Sequence, residues 1–347
     1  MALKLVFGGD VAPIRAATAN MFGALSQTIA DADLAIANLE IALTDRGERT
    51  RGKGIAERGP PQAIEALVEA GFDAVNIANN HVLDYGAGAL VDTLDRLGAA
   101  GLPCFGAGRN AGEAAAPIVL ERGGIRIGLL GYTSTLPQGF AATADSPGVN
   151  PLRALTFYHP TRNPEEYPGS AMAIETRPVA EDLARMVADI RHLKEQVDVV
   201  LVYQHWGASM TEQVLGFQRA IGHAAIDAGA AAVFGGHQHV ISAIEFYKNC
   251  PIVHGMGNLL FDIIVPFLTE ITHRTFLFRA TVTRSGLSDC EVIPCRAGVV
   301  GVYDTPVPLS PASEGGMRIV EALQRLSAPF GTRIAVSDDR VLVSAAD

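Results

Sequence analysis

The decapeptide AAVFGGHQHV, residues 231–240, runs from an apolar stretch through two glycines into His237 and His239. A short apolar run bounded by glycines reads as a buried strand and its turn. Histidines at i and i+2 in such a turn can present both imidazoles to one centre. Gly235 and Gly236 permit a tight bend there.

The same arrangement recurs upstream. DVVLVYQHWG (198–207) ends in His205, Trp206 and a glycine, and DAVNIANNH (73–81) ends in Asn80 and His81. LAIANLE (34–40) ends in Glu40, and LKLVFGGD (3–10) ends in Asp10. Of nine histidines in the chain, four fall at these ends. In open α/β sheets, functional groups gather at the carboxyl ends of strands. Each site alone has a plainer explanation. An aspartate after glycines forms turns, Asn79-Asn80 before a helix is a cap, and His205 alone suits a core. The ordered set is far more specific than any member.

Between the strands lie helix patterns at 16–30, from Pro60-Pro61 to a stop at Gly71, and at 86–99, 179–196, 212–228 and 314–327. Alternating strands and helices make an α/β fold. ISAIEFY (241–247), CPIVHGMGN (250–258), RTFLFRATVT (274–283) and DCEVIPC (289–295) are expected to be antiparallel, so the sheets are mixed. Two short strands close the chain. Residues 137–178 hold many of the prolines and show no period. They are expected to form a loop excursion at the site mouth, with Tyr158, His159, Arg162 and Tyr167 in reach of substrate.

With 347 residues, 48% of them hydrophobic, the chain can bury one large core, and 1–347 is expected to be a single domain. A net charge of −10 argues against non-specific nucleic-acid binding. The expected partner is a small-molecule, peptide or polyanionic substrate. Cys104, Cys250, Cys290 and Cys295 form no CxxC pair and read as free thiols of a reducing compartment. No run is apolar enough to span a bilayer, and the N-terminal apolar stretch is too short for a secretory signal. The cytoplasm is the expected location, without membrane insertion.

Carboxylates, imidazoles and an amide oxygen together suit Mn, Fe, Zn or Co, and the absence of a thiolate argues against a structural zinc site. The loop after Glu40 carries Arg46, Arg49, Arg51, Lys53 and Arg58. It is either a solvated surface or a clamp for anions.

The ordered motifs GGD, NLE, ANNHVLDYG, HWG, GGHQHV and HGMGN resemble the CapA family of capsule-biosynthesis proteins. That family is linked to poly-γ-glutamate production and has a calcineurin-like metallophosphoesterase fold. The resemblance implies a four-layer αββα sandwich of mixed sheets holding one or two divalent ions. Asp10 and His239 would bind the first ion, with Glu40 as the bridging carboxylate. Asn80, His205 and His237 would bind the second. His81 would be a general acid oriented by Asp84. Read from the residues alone, Arg51, Lys53, Trp206 and Asn258 are the candidate substrate contacts, with a structural role as the favoured alternative for Trp206. Metallophosphoesterases usually place a histidine where this chain has Ala12, so the first position is expected to be weak, water-completed or empty.

The activity so implied is a metallohydrolase acting on a phosphoester or γ-glutamyl-type bond. One alternative is a metal-independent acid–base enzyme, such as a peptide epimerase using Asp10 and a histidine. The other is a non-catalytic accessory component of polymer synthesis or export.

Overall fold

The computed structural model describes residues 2–263 and 269–346. The strand Leu3–Ala12 is almost wholly buried, which requires cover on both of its faces. Leu3, Leu5 and Phe7 enter one core, whereas Val6, Val11 and Ala12 enter another. Up to Phe7 this is the two-residue alternation of a strand with both faces covered, and it breaks at the register shift between Asp10 and Val11. Leu34–Leu39 repeats the division, with Leu34 and Ile36 on one side and Ala35, Ala37 and Leu39 on the other. Val199–His205 does the same against a third core, which takes Val200 and Val202, while Val199, Leu201 and Tyr203 share the first strand's inner core.

Three cores separate four layers. One outer core packs the helices Leu25–Ala30, Ala63–Glu69 and Gly86–Ala99 against the larger sheet. The middle core lies between the two sheets, where the ring of Phe7 stacks on that of Phe234 with centroids 4.1 Å apart. The other outer core packs Ala180–Lys194 and Gly216–Ala228 on the smaller sheet. Fully burying a side chain such as Phe7 stabilises by about 2–3 kcal/mol. Glu314–Ser327 contributes Ile319, Val320 and Leu323 to the middle core. The fold is therefore the expected mixed α/β sandwich.

In the larger sheet, Leu3–Ala12 pairs in parallel with Leu34–Leu39, which pairs with Ala74–Asn76 and so on to Cys104–Phe105. On its other side it pairs antiparallel with Arg274–Thr283. The smaller sheet runs in the order 244–247, 250–253, 232–236, 199–205, 125–133 and 118–122.

Three expectations need correction. The helix expected at 16–30 covers only Leu25–Ala30; the residues before it form turns, with Asn20 at φ 53°. CPIVHGMGN, expected antiparallel, holds Cys250–Val253, which is antiparallel to Ile244–Tyr247 but parallel to Ala232–Gly236, and the next strand, Asn258–Phe261, pairs in parallel with the end of Leu3–Ala12. The segment 137–178 is not structureless: Ala154–Pro160 and Met172–Pro178 form an antiparallel hairpin. Its period was hidden because neither face is covered, and Tyr158 and Ile174 are both 64% exposed. The Thr176 hydroxyl accepts the Phe217 N–H at 3.1 Å and pins the hairpin base to the helix Gly216–Ala228.

Candidate metal centre

Asp10 near the end of Leu3–Ala12, His205 at the end of its strand and the turn at His237–His239 converge on one buried cluster. His237 and His239 both adopt left-handed backbone, at φ 91° and 58°. That conformation is uncommon for any residue with a side chain and is concentrated at functional turns. The two preceding glycines serve a different end from the expected bend, since neither has positive φ. A Cβ on Gly236 would overlap the Tyr203 hydroxyl and the Asp10 carboxylate, and one on Gly235 would overlap the Trp206 indole nitrogen. They allow close approach of the backbone.

Asp10, Glu40 and His205 are wholly buried, and His237 and His239 nearly so. Asp10 is held firmly. Its Oδ2 accepts the His237 backbone N–H at 3.0 Å, and its Oδ1 accepts from Asn38 at 2.8 Å and from the Tyr203 hydroxyl at 3.2 Å. Glu40 is the opposite case. Its Oε1 lies 3.2 Å from His205 Nε2. That ring nitrogen is directed instead at Asn80 Oδ1, 2.8 Å away, and neither Glu40 oxygen receives a hydrogen bond. Burial, and then the charge of Asp10, raise its carboxyl well above the usual range. His237 Nδ1 is likewise buried without a partner.

Two sets of donor atoms each lie within 4.8 Å of one another: Glu40 with His205 and His237, and Asp10 with Glu40 and His239. Glu40 belongs to both. Burial lowers His205 to about 4 and His237 well below its ordinary value, so both imidazoles are neutral near pH 7. Neutral imidazole is the form that ligates metals. An unpartnered carboxylate and an unpartnered ring nitrogen, both buried, are costly unless something cationic meets them. The donor set fits a divalent ion, with Asn80 Oδ1 adjoining the Glu40–His205–His237 group.

His81 Nδ1 lies 2.7 Å from Asp84 Oδ2, which leaves Nε2 as its working nitrogen. Lys53 reaches into the same corner. Its Nζ contacts Asp84 and the Asn80 carbonyl, lies 3.2 Å from His81 Nδ1, and sits 5.3 Å from the Phe140 ring centroid. Burial lowers the Lys53 ammonium from its ordinary value, against the pull of Asp84.

Other expected positions do not converge. Arg51 is exposed and makes no side-chain hydrogen bond or ion pair among the described residues. Of the basic loop, only Lys53 arrives at the cluster. Trp206 is 0% exposed and donates its indole N–H to the His254 carbonyl at 2.9 Å, so it packs the interior rather than a substrate. Asn258 turns to His239, with Oδ1 3.0 Å from Nδ1. Asp10, committed to three donors, is badly placed as a proton carrier. On the hairpin, His159 meets Glu175 at 3.2 Å and Arg162 lies 5.1 Å from the Tyr167 ring.

Sequence reasoning missed Asn38. Its amide donates to Asp10 and its Oδ1 accepts from Asn76 at 2.8 Å and Asn79 at 3.3 Å. The available signal was an amide side chain inside an apolar strand, where only a hydrogen-bonding duty offsets the cost of burial. Tyr203 in DVVLVYQH carries the same signal.

A family model described as "Bacterial capsule synthesis protein PGA_cap" matches residues 4–263. The chain belongs to this family. Among its relatives, the "Capsule biosynthesis protein CapA" of Bacillus anthracis is 28% identical over 254 residues, covering 72% of this chain and 55% of the relative. The chain thus spans about half the length of that PGA_cap relative. A "Probable polyglutamine synthesis accessory protein" of Mycobacterium tuberculosis is 29% identical over 322 residues, covering 89% of this chain and 76% of the relative. A hypothetical protein from Thermus thermophilus aligns in structure with a TM-score of 0.49 at 18% identity, over 85% of this chain and all of that one. No helix among the described residues is long and apolar enough to cross a membrane.

Proposed function

We propose that this PGA_cap protein is a metal-dependent hydrolase acting on an anionic substrate of capsule or poly-γ-glutamate metabolism, at a phosphoester or γ-glutamyl-type bond. The observation that carries the reading is the buried, unpartnered Glu40 carboxylate between the two histidine groups. Asp10, Glu40 and His239 would hold one ion, and Glu40, Asn80, His205 and His237 the other. When bound, Mn, Fe, Zn or Co supplies Lewis acidity and a water acidified for attack.

The chain's own residues then divide the work. Asp84 accepts the Nδ1 proton of His81, so Nε2 is free to carry a proton to the leaving group. Lys53 neutralises Asp84 and places a positive charge beside His81, where an anionic leaving group would be received. Asn38 and Tyr203 hold the Asp10 carboxylate in one orientation.

Metal analysis of the protein reconstituted with manganese or zinc, together with hydrolysis of bis(p-nitrophenyl) phosphate and of oligo-γ-glutamate, tests this. The expected result is bound metal and metal-dependent hydrolysis, reduced about 100-fold in His81→Ala with metal content kept. Absence of bound metal and of hydrolysis overturns the reading. A relative's name, polyglutamine synthesis accessory protein, favours a second reading in which the chain assists a synthetase. Metal binding without hydrolysis, together with a stable complex with a synthetase that His81→Ala leaves intact, would select that one.

A further inference from the structure

The segment from His254 to Asn258 reaches the cluster from the side where Ala12 offers no ligand. Gly257, at φ 75°, directs its carbonyl to the Asp10 N–H at 3.0 Å. The next residue, Asn258, faces Asp10 across the parallel pairing, at a register shift between Asp10 and Val11. Its side chain is buried, and Oδ1 stands 3.0 Å from His239 Nδ1. The competing acceptor, Asp10 Oδ2, is 3.9 Å from that nitrogen.

An amide oxygen only accepts hydrogen bonds, so the ring nitrogen facing it must carry hydrogen. A neutral imidazole has one N–H. With the hydrogen on Nδ1, the lone pair is on Nε2, and the ligating atom of His239 is settled before any ion arrives. His237 differs: its Nδ1 is buried and has no such partner.

We propose that Asn258 is a positioning residue that holds His239 in its Nδ1–H tautomer and so leaves Nε2 as the ring nitrogen with a free lone pair. Its consequence for metal binding rests on the metal-centre reading above. The tautomer itself is a property of the metal-free protein. The opposite orientation of the Asn258 amide would donate to Nδ1 and force the hydrogen onto Nε2, so the two arrangements are experimentally distinct.

The test is a long-range proton–nitrogen-15 correlation spectrum of the metal-free full chain at pH 8, with the His239 signals assigned through His239→Gln. The Nδ1–H pattern is expected, and the Nε2–H pattern overturns the proposal. Asn258→Asp keeps the acceptor and should keep the tautomer. Asn258→Ala should give mixed tautomers. In zinc titrations, Asn258→Ala should weaken one of two sites by about 10–100-fold, the usual effect of removing a ligand's hydrogen-bond partner. The other site should be unchanged. An unchanged tautomer in Asn258→Ala, or equal weakening of both sites, overturns the assignment. If no zinc binds to the wild type, the metal reading fails, while the spectrum still decides the role of Asn258.

Discussion

The molecule holds two buried clusters of carboxylate and imidazole, and they are solved in opposite ways. Around Glu245, His254 Nε2 lies at 3.1 Å, His223 Nε2 at 2.7 Å and an Arg219 nitrogen at 3.1 Å. Both oxygens of that carboxylate are met, and a permanent cation is among the partners. Around Glu40, three imidazoles lie near, yet neither oxygen receives a hydrogen bond, and Lys53 acts on it through its charge alone. The same residue types therefore build a carboxylate met on both oxygens in one place and an unmet one in the other, although His254 Nδ1, like His237 Nδ1, is buried without a partner. Histidine near a buried carboxylate does not by itself mark a metal site. An unmet carboxylate is the stronger signal, because burying it uncompensated is expensive.

The comparison breaks most readily at Glu245. Replacing Glu245 with alanine leaves the buried His254 Nε2 without its partner and should destabilise the protein by about 1–2 kcal/mol, measured by urea unfolding. The same network predicts an acid response. Burial pushes the Glu245 carboxyl up, but hydrogen bonds from His254, Arg219 and His223 outweigh it and bring it to about 2, below its ordinary 4.5. A carboxyl lowered by folding contributes stability that is complete above about pH 4.5 and is lost as pH falls toward 2. Glu245→Ala should flatten this part of the pH–stability curve. A wild-type stability unchanged between those values would show that the network is not ionised as described.

At the open cluster, zinc or manganese at about 100 times its dissociation constant should stabilise the wild type by about 2.7 kcal/mol. Thermal unfolding with and without metal measures it. Glu245 variants that remain folded should keep the gain, and Glu40→Gln should lose it. A metal-induced gain that survives Glu40→Gln would place the ion elsewhere.

The smallest effect sharpens the contrast. Without metal, Glu40→Gln removes a buried carboxyl that no donor meets, so it should raise stability by roughly 1 kcal/mol. A loss of stability in metal-free Glu40→Gln would mean that the carboxylate is already satisfied.

The division between these clusters could not be read along the chain. His205, His237, His223 and His254 look alike in sequence, each close to an apolar strand or helix. Which carboxylate each meets depends on approaches such as Asp10 to the His237 N–H, residues 227 positions apart. Trp206 illustrates the same limit. Its place after His205 left a substrate wall and a structural role both open, and the strand's path turns it to the His254 carbonyl. Lys53 was one of five basic residues in a loop, and only the fold selects it.

What the sequence determined by itself is the local part of the structure. Continuous apolar runs made Leu3–Ala12, Leu34–Leu39 and Val199–His205 strands covered on both faces, and Gly207 follows closely on the end of the last of them. Those signals are short-range because pleat and turn repeat within a few residues. Ligand types at the strand ends followed directly. Tertiary structure decided the rest: the parallel pairing of Asn258–Phe261, the hairpin at 154–178, Asn38 as the support of Asp10, and Glu40 left unmet. Those outcomes depend on hydrogen bonds and charges closing across the packed sheets, a through-space condition that no periodicity encodes.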